Sequence, residues 1–469
     1  MTRTEGREGH SAVEDFDVAI VGARCAGASL AVLLAARGLS VVVVDKSAGI
    51  GFTLSSNILQ ADSLSFLRRV GAMDRLRAAG ATTMSHIDMR LEDFHCHEEL
   101  PQAPGDAGGA ACIRREILDS ALVDTAAAAG AEIRLGTKVV GLIEENGRVA
   151  GVRVVRGERE TQLRARLVVG ADGRNSWVAD ACNARRYHVL HGERSYYWTY
   201  FQGADLGTHP TFVFHRWGDR HMLGGPADNG LYILGVSPQQ HERDRFREDL
   251  DASVRAHVEH CPPIAEALAD AERATKIYGV RRFFGYFREA AGPGWVLLGD
   301  AGHFKDPAGG RGIGDAFHQA EHLAPRIERA LTRSGGEIDR VTREFVRWRD
   351  RTYAEYYGLA ADLGVAGPIA AVVPQTVRRM HAKGRIDDLL NLLSHRSSVL
   401  DVLSPARVLH ATGGLLRHSP GRRKAVIAEM ASLVSTEIGR RRAMRRPVHQ
   451  SGPVRPPVQP DLPEAELSR

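Results

Sequence analysis

Cysteine is scarce and unpatterned in this chain. The 469 residues hold five, Cys25, Cys96, Cys112, Cys182 and Cys261, an odd number with no CxxC pair. That excludes a disulfide framework and a zinc knuckle, and fits a reducing compartment. His95-Cys96-His97 has the residue types of a metal tripeptide, but neighbours on a strand point to opposite faces and a ligand set needs suitably spaced partners. No metal is expected. Long apolar runs are missing too: none reaches the roughly 20 residues of a membrane span, and the opening stretch MTRTEGREGHSAVEDFD lacks the apolar core of a signal peptide. The expectation is a cytoplasmic protein with no membrane span. Charge of one sign is only in slight excess, at +5, and the basic residues are dispersed except for the patch Arg440-Arg441-Arg442-Ala443-Met444-Arg445-Arg446. One solvated patch beside a Pro-rich end does not make a nucleic-acid surface. Aromatic residues are only 6% of the chain, so a cluster of them stands out, while 43% hydrophobic and 25% charged residues give enough core for two or three domains.

What is abundant is glycine, and it is concentrated where strands end. The stretch GWVLLGDAGHFKDPAGGRGIGDAFHQAEHL, Gly294 to Leu323, reads as an apolar strand ending on Gly299-Asp300, a Gly/Pro-rich loop to Gly314, and a helix with Ala316, Phe317, Ala320 and Leu323 on one face. Five glycines, at 302, 309, 310, 312 and 314, cost chain entropy unless a ligand needs the backbone close. A carboxylate delivered into such a turn, followed by an open helix N-terminus, suits polyhydroxy and anionic groups. His303 reads as a packed loop residue rather than a proton carrier.

A second stretch, DFDVAIVGARCAGASLAVLLAARGLSVVVVDKS from Asp15 to Ser47, reads as strand, tight turn Gly22 to Gly27, small-residue helix and second parallel strand ending on Asp45-Lys46. This is a dinucleotide-binding βαβ unit, in which the helix N-terminus faces a pyrophosphate and the acidic residue takes a ribose hydroxyl. Arg24 stands where the middle glycine of GxGxxG belongs, so its guanidinium either tolerates the phosphate or turns onto it. Residues 53–80 carry helical periodicity and read as scaffold. Arg114-Arg115 opens a helix, and Glu132 to Arg156 reads as strands with a hairpin at Asn146-Gly147. A further buried strand from Arg166 ends on Asp172-Gly173, so three strand ends can converge on one long ligand. Between Tyr196 and Phe287 the texture turns strand-rich and aromatic; alternation separates Tyr196, Trp198 and Tyr200 from Tyr197, Thr199 and Phe201. Beyond Leu323 the chain reads as helices over 344–363, 374–393 and 422–446.

The ordered set of Gly22 to Gly27 with Asp45, then Asp172-Gly173, then Gly299-Asp300 through Gly314 resembles the FAD fingerprint, DG motif and GD motif of class A FAD-dependent monooxygenases, the p-hydroxybenzoate hydroxylase-like flavoproteins. The likeness covers roughly Asp15 to Leu323. It implies an α/β fold: a Rossmann-like FAD-binding domain of the p-hydroxybenzoate hydroxylase/glutathione reductase type (14–85, 113–190 and 288–335), an inserted antiparallel β substrate domain (86–112 and 191–287), a helical C-terminal region (336–446) and a disordered tail (447–469). It implies FAD held by Gly22, Arg24, Gly27, Asp45 and Lys46 at the adenosine and pyrophosphate end. Arg115 would approach the ribityl-phosphate region, Asp300 would hold a ribityl hydroxyl, Asp172 would brace the pyrophosphate region, Pro307 would lie near the ring, and the backbone at Gly310, Gly312, Ile313 and Gly314 would face the flavin pyrimidine. Three departures from the family pattern stand out: Arg24 for glycine, Ala179 for the DG-motif arginine, and Gly314 with Gln319 for Asn and Asp.

The activity implied is that of a single-component monooxygenase taking hydride from NADPH or NADH and passing one atom of dioxygen, through a flavin hydroperoxide, to an aromatic or polyketide-like small molecule. The flavin carries the chemistry; no catalytic base is assigned, and Tyr197, His215 and Trp217 are the pocket candidates. The rivals are a reductase of the geranylgeranyl-reductase-like branch and a flavin-binding protein without catalysis. A halogenase is set aside because no WxWxIP motif is visible. The helical end is expected to pack on the fold or to form a homodimer.

Overall fold

A computed structural model of the chain describes residues 12–55, 57–332, 337–418 and 420–450. In chain order, its principal elements begin with β1 (Ala12–Val21), α1 (Cys25–Ala35), β2 (Val41–Val44), β3 (His86–Leu91), β4 (Phe94–Glu99) and α2 (Arg115–Ala128). There follow β5 (Glu132–Arg134), β6 (Lys138–Glu145), β7 (Arg148–Arg156), β8 (Arg159–Gly170), β9 (Tyr196–Gln202), β10 (Thr211–Trp217), β11 (Arg220–Pro226) and β12 (Leu231–Ser237). The last are β13 (Trp295–Leu297), α3 (Gly312–Leu331) and α4 (Glu337–Gly364).

Strands β13, β8, β1, β2 and β5 lie side by side and run parallel, with the β6–β7 hairpin folded antiparallel onto β8. Strand alternation divides β1 between two cores. Val18 and Ile20 pack with Leu30 and Leu34 of α1, Leu118 and Leu122 of α2, and Phe317 and Leu323 of α3. Ala19 and Val21 face the other way, among Val152 and Val154 of the hairpin. Being covered on both faces is what allows a parallel sheet with near-continuous apolar strands. Asn146 and Gly147 take positive φ, 51° and 74°, as the expected hairpin turn requires.

The second sheet runs β9–β12–β11–β10–β3–β4. It is antiparallel except at one step: β10 and β3 are parallel, Val213 beside Asp88. The expected antiparallel domain is thus present with one parallel step, because β3 comes from a separate, earlier segment of the chain and reaches β10 across the molecule instead of through a hairpin. The face carrying Tyr200, Phe212, Phe214 and Ile233 looks inward. The opposite face carries Tyr197, Val213, Tyr232, Leu234 and Val236 under the helical segments between Arg243 and Ala267.

Two helical expectations are redrawn. The periodic stretch 53–80 opens as loop and a short strand, Ile58–Gln60, before helices at Ala61–Arg69 and Met73–Ala78. The span 374–393 is two helices, Val372–His381 and Ile386–Leu393, parted where Gly384 takes φ 64°. Val377, Ile386 and Leu390 pack into the same core as the inward face of the second sheet, so the C-terminal helices cover the fold. Of the expected tail, residues 451–469 lie outside the described residues, while Gln450 pairs with Arg186 through backbone hydrogen bonds. No helix among the described residues is long and apolar enough to cross a membrane.

Candidate functional site

The carboxyl ends of β1, β2, β8 and β13 open into one cavity of about 620 Å³, which continues beneath the inward face of the second sheet. At one end the first turn is shaped by two glycines. Gly22 takes φ 106°, and a Cβ there would lie 2.5 Å from the Ala171 carbonyl oxygen. A Cβ on Gly27 would lie 1.8 Å from the Gly22 carbonyl oxygen. Neither position tolerates a side chain, and the resulting close turn points the N-terminus of α1 at the cavity. Asp45, at the end of β2, accepts hydrogen bonds from the amides of Ala23 (2.9 Å) and Ser47 (2.9 Å), which fixes its carboxylate on the cavity wall beside Lys46.

Arg24, in the glycine position, turns sideways: Nη1 lies 3.3 Å from the Gly51 carbonyl oxygen and 3.6 Å from Asp119. Asp119 is fully buried and also takes the Cys25 amide at 3.0 Å and Arg115 Nη2 at 2.9 Å. The sequence reading missed Asp119. Its one signal was an Arg–Asp pair four residues apart, Arg115 and Asp119, on one face of the helix.

Ser176 caps the short helix Trp177–Ala181, and Asp172 braces that cap, accepting from Ser176 Oγ (2.5 Å) and the Val178 amide (3.2 Å); burial raises its carboxyl nonetheless. Ala179 donates its amide to Ser176 Oγ at 2.9 Å inside that cap. Asp300 opens onto the cavity with protein crowding its other sides; burial lifts its carboxyl to about 6, against the pull of Arg174 and Arg115. The Gly299 amide donates to Gln319 Oε1 at 3.0 Å, so Gln319 supplies the acceptor that braces this turn.

The loop that follows is more charged and more buried than its sequence suggests. Lys305 pairs with Asp315, and Arg311 forms a two-point pair with Asp62 at 2.7 and 2.8 Å. Burial pulls the Lys305 ammonium down and pushes the Asp306 carboxyl up to about 6. These pairs anchor the loop so that Pro307, Gly310, Gly312 and Ile313 line the cavity. A Cβ on Gly312 would meet nothing within 4 Å, whereas one on Gly314 would lie 2.6 Å from Ser63 Oγ and 3.0 Å from the Arg311 guanidinium, so a larger residue there would have to displace those side chains. His303 is packed between Phe287 (4.3 Å) and Tyr353 (5.3 Å); burial, with Lys305 and Arg349 nearby, holds its imidazole neutral.

The N-cap residues of α1 and α3, Arg24 and Arg311, make no side-chain cap, and of the first amides of α1 that of Cys25 is taken by Asp119. Unpaired first-turn amides are anion-binding ends. Two helix N-termini that lack a capping N-cap residue, two glycines whose Cβ positions are blocked, and carboxylates at Asp45 and Asp300 suit a long ligand with phosphates in the middle and hydroxyls on either side.

The far end of the cavity is aromatic: Tyr196, Trp198, Phe212, Phe214 and Phe283, with Leu223 and Ile233. Of the pocket candidates, Tyr197 borders the cavity but its ring packs on Phe246 at 4.6 Å, and His215 and Trp217 sit on the outer face, their rings 6.2 Å apart. His215 and Trp217 do not line the cavity and Tyr197 only borders it, so the aromatic candidates move by one residue to Tyr196 and Trp198. Alternation defines the two faces without saying which looks inward.

Comparison with known proteins agrees with this geometry. The family model described as "FAD binding domain" matches residues 15–342. A digeranylgeranylglycerophospholipid reductase of Methanosarcina mazei is 26% identical over 358 residues, covering 72% of this chain and 81% of that protein. A 6-methylpretetramide 4-monooxygenase of Streptomyces rimosus is 26% identical over 330 residues, covering 68% of this chain and 76% of that protein. Among solved structures, the flavin-dependent brominase Bmp2 superposes with a TM-score of 0.66 at 18% identity, covering 86% of this chain and 100% of that one, a likeness of fold. The chain belongs to the FAD binding domain family and is an FAD-dependent oxidoreductase.

Proposed function

We propose that the protein is a monooxygenase that uses NADPH or NADH and dioxygen to hydroxylate or epoxidise an aromatic or polyketide-like small molecule. The observation that carries this reading is the continuity of the cavity: the polar cradle from Asp45 to Gly312 runs into a compartment walled by Trp198, Phe212, Phe214 and Phe283, with no chain between them. In this reading Gly22, Arg24, Gly27, Asp45 and Lys46 hold the adenosine and pyrophosphate with Asp172 bracing the pyrophosphate region, Arg115 and Asp300 the ribityl-phosphate region, and Pro307 with Gly310 to Gly314 the ring. Bound FAD would supply hydride acceptance and oxygen activation. The N-terminus of α3 would stabilise negative charge on the reduced ring, and the aromatic walls would exclude water from the reacting face.

A reductase acting on isoprenoid double bonds is the second reading, favoured by the reductase relatives of equal identity. The two separate in one experiment. The FAD-loaded, NADPH-reduced protein is offered ¹⁸O₂ with a panel of phenols and polycyclic phenols, and separately a polyprenyl lipid under argon. Incorporation of ¹⁸O into a phenolic product is expected. Saturation of the polyprenyl chain without oxygen, with no labelled product from the panel, overturns the monooxygenase reading.

A further inference from the structure

On the outer face of the second sheet, away from the cavity, three adjacent strands bring together residues that sequence spacing keeps apart. In the register, Asp88 of β3 faces His97 of β4, His95 faces Arg90, and β10 runs alongside with His215 next to Arg90. Diagonal neighbours on one face of a sheet lie within reach of each other's side chains. Asp88 Oδ1 accordingly lies 2.8 Å from His95 Nε2 and 2.5 Å from His215 Nε2. Among the described residues, these three form the one group whose ligand atoms all lie within 4.8 Å of one another.

We propose that Asp88, His95 and His215 form a binding site for one divalent transition-metal ion of the zinc type, independent of the flavin cavity. Two imidazole nitrogens and one carboxylate oxygen are a donor set that Zn²⁺ takes, with water in the fourth position. Asp88 and His215 are buried and root the site in the sheet, while His95, with 55% of its side chain exposed, leaves an open side for the ion and its water. The ring of His215 is oriented from behind: Cys261 Sγ lies 3.3 Å from Nδ1, which turns Nε2 toward the group. Such a partner on the second imidazole nitrogen is what fixes a ligating histidine.

The present spacing is that of the metal-free, hydrogen-bonded form, with both Nε2–H groups donating to the carboxylate. Metal–ligand bonds of about 2.0–2.2 Å in a tetrahedron need ligand atoms roughly 3.3–3.5 Å apart. The outward rotation of exposed His95 supplies that opening. His97, whose Nδ1 lies 3.4 Å from Asp88 Oδ2, stands next to the group as a further donor. The ion would tie the edge hairpin β3–β4 to β10. The tripeptide His95-Cys96-His97 makes no site by itself, because adjacent residues diverge; its partners are across the sheet, on β3 and β10.

The test is calorimetric titration of the untagged, chelator-treated full chain with ZnCl₂, with Co²⁺ absorption as a spectroscopic check. The expected result is one equivalent bound and a tetrahedral Co²⁺ spectrum. In His95→Ala, whose exposed site leaves the fold intact, affinity falls by roughly tenfold or more, the loss that even an outer-shell partner brings. A His86→Ala/His209→Ala variant removes a nearby histidine pair, half-buried His86 and exposed His209, whose rings are 4.5 Å apart, and should retain the full equivalent. Absence of uptake by the wild type overturns the proposal. So does unchanged binding in His95→Ala, or loss confined to the His86/His209 variant, which would assign the ion to a surface histidine pair.

Discussion

Arg115 and Asp119 close an ion pair across one turn of α2, Nη2 lying 2.9 Å from Oδ2, and Asp119 also receives the Cys25 amide at the first turn of α1. One buried carboxylate thereby joins two helices and sets the direction of the arginine that is proposed to meet the ribityl phosphate. Asp119→Asn keeps the shape and removes the charge, leaving a largely buried guanidinium uncompensated. A loss of about 3–5 kcal/mol is expected in urea unfolding. Arg24→Ala is the comparison: its side chain is 29% exposed and 3.6 Å from the same carboxylate, so the loss should stay within about 1 kcal/mol. Equal losses in the two variants would mean that Asp119 is not the keystone of this corner.

The turn at Gly22, the Asp45 strand end and the loop after Asp300 were legible in the sequence because each is local: the glycine spacing, the apolar run and the acidic residue fall within one short segment. Asp62 and Arg311 were not, since 249 residues separate them and only the fold makes them neighbours. Lys305 and Asp315 are ten residues apart, but their charges look solvated in a sequence and turn out to be buried. The aromatic strand β9 was read correctly as two faces, yet nothing in period-2 alternation says which face meets a cavity. The parallel step between β3 and β10 follows from long-range pairing, for which the chain carries no short-range signal.

Asp300 makes the flavin-free protein sensitive to pH. Its carboxyl is raised from 3.8 to about 6, chiefly by burial, so the folded state holds the proton more tightly than the unfolded chain does. Stability therefore falls as pH rises from about 4 through 6, and the whole penalty is carried above 6. A carboxyl displaced that far carries a penalty of roughly 2–3 kcal/mol. Asp306, also raised to about 6 by burial, acts in the same direction. Asp300→Asn should thus stabilise the flavin-free protein at pH 8 by about 2 kcal/mol relative to pH 4, while weakening FAD roughly tenfold, because a neutral acceptor replaces a charged one. Urea unfolding at the two pH values and flavin fluorescence titration read the two effects. An unaltered pH dependence in the variant would show that Asp300 is not the group responsible.

Trp198 lines the aromatic end of the cavity, 8% exposed, and its indole Nε1–H has no hydrogen-bond partner among the described residues. An unmet buried donor costs about 1–3 kcal/mol, so a site keeps one where something else meets it. An oxygen acceptor on the substrate, a phenol or carbonyl, is the chemistry that fits beside Phe212 and Phe214. Trp198→Phe removes the donor and keeps most of the apolar surface. Folding stability should stay level or rise slightly, and FAD affinity should not change, since the Asp45-to-Gly312 cradle is elsewhere in the cavity. For oxygen-bearing aromatic substrates KM should rise roughly threefold to tenfold, the worth of one neutral hydrogen bond, with kcat affected less. The same KM rise for a substrate lacking the oxygen would show that the ring, and not the N–H, is what the substrate meets.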